Sequence, residues 1–259
     1  MRYSGADRIY ERPGDSPFQA GCKFSCTDAT VLTLTPSGID STAQVTTTTG
    51  DIIVLTESLT CDILVSGVNG LDTGSKYYDT GYYIFLITQE NGAQPALLAS
   101  LSDTAPVMPD DYTCRTVPIW FVSINPWCRI RAFIDIDGYC FYSEVGDTIL
   151  LIGGLGHEDW TLIDCSPLVP NNSIAYIYSY ARSKSSSVWN QVEYKFPGSD
   201  KVCSTFKTHF QNITGVELPY AFPIADASNS IYYKWQTNPG IGDTYSAINN
   251  VWCRGWTLL

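Results

Sequence analysis

From Val31 onward, apolar residues recur in short runs that alternate with polar positions or stand as brief apolar blocks, each closed by turn residues. Val31 to Thr35 alternates and stops at Pro36-Ser37-Gly38. Ala43 to Thr49 is rich in threonine, and Asp51 to Thr56 and Cys61 to Ser66 are compact apolar blocks. Such runs are too short for helices and rich in β-branched and aromatic side chains, so each predicts a strand. Tyr82 to Thr88 predicts another, followed by Glu90-Asn91-Gly92 and a returning strand at Pro95 to Ser100. Asn-Gly favours the left-handed backbone that a tight hairpin needs. Thr116 to Ile124 and Arg129 to Ile136 read as a further hairpin about Asn125-Pro126-Trp127, before strands at Tyr139 to Ser143 and Thr148 to Ile152.

The glycine cluster Gly153-Gly154-Leu155-Gly156 leads into Trp160 to Ile163, a strand-like run, and therefore reads as a hinge rather than a phosphate loop, which would open a helix. Strands are predicted beyond it at Ile174 to Tyr180, Val188 to Phe196, Ser204 to Phe210, Ile231 to Gln236 and Val251 to Leu258. The first 30 residues are rich in Gly, Pro, Arg, Asp and Ser and lack periodicity, which predicts an extended arm. The expected architecture is all-β: an arm at 1–30, one β-sandwich-like module at 31–152 and a second at 153–259.

Composition narrows the function. Hydrophobic residues make up 44% and charged residues 16% of the 259, so the chain folds rather than staying disordered. A net charge of -11 argues against a nucleic-acid partner, because phosphates demand clustered Lys and Arg. No apolar run approaches the length of a membrane helix, and Met1 to Pro17 lacks the apolar centre of a secretory signal. Synthesis in a cytoplasm without export is the expectation. The nine cysteines contain no C-x-x-C pair, so structural zinc and thioredoxin-like chemistry are poorly supported. Two readings stay open for them: small buried hydrophobes, or bonds formed on meeting an oxidising medium.

Candidate chemistry is sparse, and no cofactor is expected. The two histidines, His157 and His209, fall in the hinge and in a strand, with no G-x-S-x-G nucleophile elbow to serve. Asp110-Asp111 and the pair Asp135/Asp137 could supply two carboxylates or a hard-cation site. The Asp137-Gly138 step equally predicts a tight turn between Phe133-Ile134 and Tyr139-Cys140. Aromatic residues reach 13%, which suits either strand packing or stacking on sugars.

One stretch resembles a known module. Val65-Ser66-Gly67-Val68-Asn69-Gly70-Leu71-Asp72-Thr73-Gly74-Ser75 leads into Thr80-Gly81-Tyr82-Tyr83-Ile84-Phe85-Leu86-Ile87. Ala96 to Ser100 follows, then Thr104-Ala105-Pro106-Val107-Met108-Pro109, Tyr112 and Arg115. This order resembles a β-rich module of tailed-bacteriophage structural proteins, found in tail fibres, neck or collar parts and head appendages. Gly81 is a departure, standing where that module carries Trp.

The resemblance implies a non-enzymatic virion component: a collar, neck, fibre or decoration protein acting as a homo-oligomer, a trimer where fibre-like, among other virion proteins. It further implies cysteines that stay reduced during assembly and then lock neighbouring chains, with Cys22 and Cys26 on the arm as the interchain candidates. The rival expectation is an adhesive module that binds a host-surface receptor or glycan through exposed Tyr and Trp. A glycan depolymerase, needing carboxylates facing across a cleft, is the third.

Overall fold

A computed structural model describes residues 21–74, 76–136, 138–143, 149–154, 159–182, 189–202, 204–209, 216–224, 229–237 and 248–258. The protein is all-β. In chain order the first strands are β1 (Cys22–Asp28), β2 (Val31–Pro36), β3 (Ala43–Thr46), β4 (Ile52–Leu55) and β5 (Leu59–Asp62). Then come β6 (Gly70–Leu71), β7 (Thr80–Thr88), β8 (Ala96–Ser100), β9 (Cys114–Arg115) and β10 (Trp120–Ile124). Next are β11 (Phe133–Ile136), β12 (Tyr139–Tyr142), β13 (Ile149–Gly154), β14 (Thr161–Asp164) and β15 (Ser173–Arg182). The last are β16 (Trp189–Lys195), β17 (Ser204–His209), β18 (Val216–Ile224), β19 (Ser230–Thr237) and β20 (Ile248–Leu258).

The central sheet runs β10-β7-β8-β6, with β9 also paired to β7. Every residue of β7 after Thr80 is buried, as is all of β8 and β10. Continuous apolar sequence at both phases of the pleat is what a sheet covered on both faces requires. One cover is the sheet β1-β2-β5 with the β3-β4 hairpin, whose strands alternate in the ordinary way. Phe24, Leu32, Leu34, Val45, Ile53 and Leu55 point inward from it.

The second half is built on a six-stranded sheet, β11-β12-β20-β15-β18 with β13 also paired to β20, and a four-stranded sheet, β14-β19-β16-β17. Their inner faces share one core: Cys140, Ala175, Ile177, Val251, Cys253 and Trp256 from the first, Ile163, Val192, Tyr194, Ile231 and Tyr233 from the second. Trp256 then meets the edge of the central sheet, 4.9 Å from the ring of Trp120 and 6.0 Å from that of Phe121. Trp120 stacks on Phe24 at 4.7 Å and lies 5.5 Å from Phe133. Three sheets therefore converge on this aromatic knot: the one that carries β1, the central sheet and the six-stranded sheet.

Several expectations change. Of the hinge expected at 153–159, Gly153 and Gly154 are instead the last residues of β13, paired with Asn250 and Asn249 of β20, and residues 155–158 lie outside the described residues. The six-stranded sheet takes strands from both sides of the boundary drawn at 152/153. Of the proposed arm, residues 1–20 lie outside the described residues, while Cys22–Asp28 is β1, paired with β2 from Cys22↔Pro36 onward. The hairpin drawn about Asn125-Pro126-Trp127 is only a turn. Past a single bridge at Ile124↔Ile130 the chain leaves, and β11 pairs with β12 instead. The tight connection expected between these two strands is there, since Ile136↔Tyr139 closes β11 on β12 and Gly138 has φ 81°. Among the described residues β18, with Pro219 and Pro223, pairs only with β15, and the rim of a sheet is where a missing N–H is tolerated.

Candidate interaction surfaces

The loop that carries the phage-module resemblance is spent on holding the fold. Asn69 adopts φ 61°, donates its N–H to the Leu97 carbonyl at 2.9 Å and accepts the Leu97 N–H on Oδ1 at 3.1 Å. Both groups of a strand residue are thereby paired, and the short parallel pairing of β6 with β8 follows. Asp72 N–H donates to the Ala99 carbonyl, and its Oδ2 accepts from Ser100 Oγ at 2.6 Å and from Val107 N–H at 3.1 Å. Ser102 Oγ accepts the Ala105 N–H at 2.9 Å. Arg115 donates to the Thr104 carbonyl at 2.6 Å and lies 5.6 Å from the centre of the Phe85 ring. One carboxylate, one amide and one guanidinium thus tie three loops to β8 and β7.

Gly81 has a steric reason. A Cβ there would lie 1.9 Å from Phe121 Cζ, so the aromatic bulk at this point of the sheet comes from the neighbouring strand.

Cys22 and Cys26 lie on the Phe24 side of β1, half-buried and packed against the core. Burial pushes the Cys22 thiol up to about 11, and Cys26 donates to the Asp28 carbonyl at 2.8 Å. The described cysteines are all free thiols, and Cys61, Cys140, Cys165 and Cys253 are fully buried. Burial pushes Cys61 and Cys253 up to about 12. At neutral pH these groups are neutral thiols, poor nucleophiles and poor metal ligands.

Asp135 is buried, its Oδ2 accepting the Phe24 N–H at 2.8 Å and its Oδ1 the Gly138 N–H at 3.1 Å. It ties β1 to the β11-β12 turn. Asp137 and His157 lie outside the described residues. Asp110 and Asp111 form an exposed turn, Asp111 with φ 68°. His209 pairs through its backbone with Trp189 at the end of β17. Among the described residues no group of three or more His, Cys, Asp or Glu side chains could hold a metal ion.

The outer faces of the two second-half sheets differ in character. The four-stranded sheet presents Tyr232, Lys234, Glu193 and Lys195, with Lys195 Nζ 4.6 Å from the Trp160 ring centre. The six-stranded sheet presents two uncharged rows in register across β11, β12, β20 and β15. One is Ile136, Tyr139, Thr257, Ile174; the other is Ile134, Phe141, Gly255, Tyr176. Ile134 and Ile136 are 52% and 53% exposed. Phe141 and Tyr176 stack at 5.7 Å across the position of Gly255, with Tyr139 6.3 Å from Phe141. A Cβ at Gly255 would strike the Cys140 carbonyl oxygen at 1.9 Å, so the hole in the sheet face is fixed and neighbouring rings cover it. Sequence reading did not single out this face, although FIDI and YCFY are apolar at nearly every position and so lack a polar phase for solvent.

The fold and these surfaces define an all-β protein that exposes apolar side chains on one sheet face. No known family model matches the chain, and no curated protein matches it.

Proposed function

We propose that this protein is a non-enzymatic structural component of a tailed-phage particle, a collar, neck, fibre or decoration part, that works by assembling with copies of itself. The observation that carries the assembly reading is the pair of uncharged rows that the six-stranded sheet presents across β11, β12, β20 and β15. Fully burying an isoleucine side chain is worth roughly 1.5–3 kcal/mol, and Ile134 and Ile136 stand exposed beside a row of half-buried rings. In a chain of net charge -11, two copies meet at least electrostatic cost where neither presents a charge. Placement on a virion rests on the resemblance at Val65–Val122, whose polar residues serve to rigidify loops. An interchain disulfide through Cys22 or Cys26 would require β1 to turn its inner side outward. Assembly is therefore noncovalent first, and any covalent lock comes after.

Native mass spectrometry of the purified chain, with and without reductant, tests the assembly. The expected wild-type species is a multiple of 28.6 kDa in both conditions, shifted to monomer by the double variant Ile134→Glu/Ile136→Glu with an unchanged circular dichroism spectrum. A wild-type monomer at tens of micromolar would end the reading. An antibody against the chain should also detect it in density-banded particles; its absence there removes the virion placement.

A further inference from the structure

The end of the central sheet where β7 begins and β10 finishes carries two loops side by side, because Thr80 and Ile124 are register partners. The loop before Thr80 holds Tyr77 and Tyr78, 59% and 68% exposed, and the loop after Ile124 holds Trp127, 69% exposed. The other aromatics whose side chains are described are buried or half-buried. These three project from loops, and the core uses none of them.

Their carriers are firmly held. Tyr77 N–H donates to the Tyr82 hydroxyl at 2.8 Å. Asn125 Oδ1 accepts from the N–H groups of Trp127 and Arg129, each at 3.0 Å, while Cys128 N–H closes the turn on the Asn125 carbonyl. Arg131, itself buried, joins the loops: its Nε donates to Ser123 Oγ at 3.2 Å and its Nη2 to Asp79 Oδ1 at 3.0 Å. The Asp79 side chain remains 60% exposed. Asp79 and Cys128 hold left-handed φ values of 47° and 60°, one in each loop. Exposed rings on backbone fixed in advance lose little freedom when something stacks on them.

We propose that this loop pair is a binding site for a neutral oligosaccharide. A pyranose ring offers an apolar C–H face to an aromatic ring and a rim of hydroxyls to hydrogen-bonding neighbours. Tyr77, Tyr78 and Trp127 supply the platforms, and the Asp79 carboxylate, steadied by Arg131, supplies a hydroxyl acceptor. The chain's net charge of -11 disfavours a long polyanion such as nucleic acid, and Arg131 is already held by Asp79 and is not free to grip an acidic sugar. A protein partner would want about 800 Å² per side around a packed apolar centre. Here separate rings stand among Lys76, Asp79 and Arg129 on two narrow loops. The site uses none of the residues of the six-stranded sheet.

The full-length protein is applied to printed oligosaccharides built from glucose, galactose, mannose and N-acetylglucosamine, with and without terminal sialic acid. At least one neutral oligosaccharide should be retained. Titration calorimetry with that oligosaccharide should then show at least tenfold weaker binding for Trp127→Ala and for Tyr78→Ala, whose exposure leaves the melting temperature unchanged. Ile134→Glu/Ile136→Glu should keep wild-type affinity, which separates this site from assembly. Retention of no neutral glycan, retention of sialylated glycans alone, or undiminished binding by a Trp127→Ala/Tyr78→Ala double variant each overturns the proposal.

Discussion

At Gly81 a hydrogen atom stands where even a methyl group would collide, because the Phe121 ring lies across it. Neighbours here are paired strands, with Phe121 opposite Tyr83 and Ser123 opposite Gly81, so neither side can retreat without breaking the ladder. Gly81→Ala should destabilise the protein by about 1–3 kcal/mol through overpacking. Urea unfolding would show it, and Phe121→Leu in the same background should recover part of the loss. A stability equal to wild type would mean that the ring can turn away. Nothing in the one-dimensional pattern announces this constraint: glycine inside an apolar run signals close approach without saying of what. Asp135 was equally opaque. Its sequence neighbours suggested a turn or a cation, and its actual partner, Phe24 N–H, is 111 residues away.

Strands with one unambiguous period were legible. Val31–Pro36 and the β7-β8 hairpin fall close to where the apolar runs put them. The misses have separate physical causes. β18 breaks its own pattern with two prolines that only a rim strand accepts. β1 has one fully buried side chain, Phe24, and so a weak signal. β13 ends in glycines that mimic a hinge while their backbone groups complete a ladder. At this scale the motif loop makes a sharp prediction. Asp72 receives two hydrogen bonds from different segments, and bonds to a charged acceptor are worth about 1.5–3 kcal/mol. Asp72→Ala should lower stability by that order and speed hydrogen exchange at Val107 before it affects β10. Exchange unchanged at Val107 would show that the loop is held by other means.

Across the whole molecule, Trp120 is the point where the sheets meet, touching Phe24, Phe133 and Trp256. Trp120→Ala should cost about 3–5 kcal/mol, as large aromatic deletions in cores do. Because the ring bridges both halves, calorimetry should show one transition moved down, not one of two. Two separate transitions in the wild-type protein would mean that the halves melt independently. The exposed surfaces were the least legible part of the sequence. Tyr77, Tyr78 and Trp127 look like any other aromatics in a chain where such residues make up 13%. Only the geometry shows which rings the core has left over.

The placement of β20 has a temporal implication. It pairs with β12 and β13 on one flank and with β15 along the other, so a strand synthesised after all of its partners is the one on which their sheet is threaded. Until the ribosome has delivered residues 248–258, the strands that will flank them have nothing between them, and their ladders stay open to whatever chain is nearby. Folding dominated by such distant pairings is slow, and the waiting intermediate is sticky. Nascent chains crowded on one messenger would then run the hazard of trading β20 with a neighbour, and cells making this protein quickly should accumulate more insoluble product than cells making it slowly.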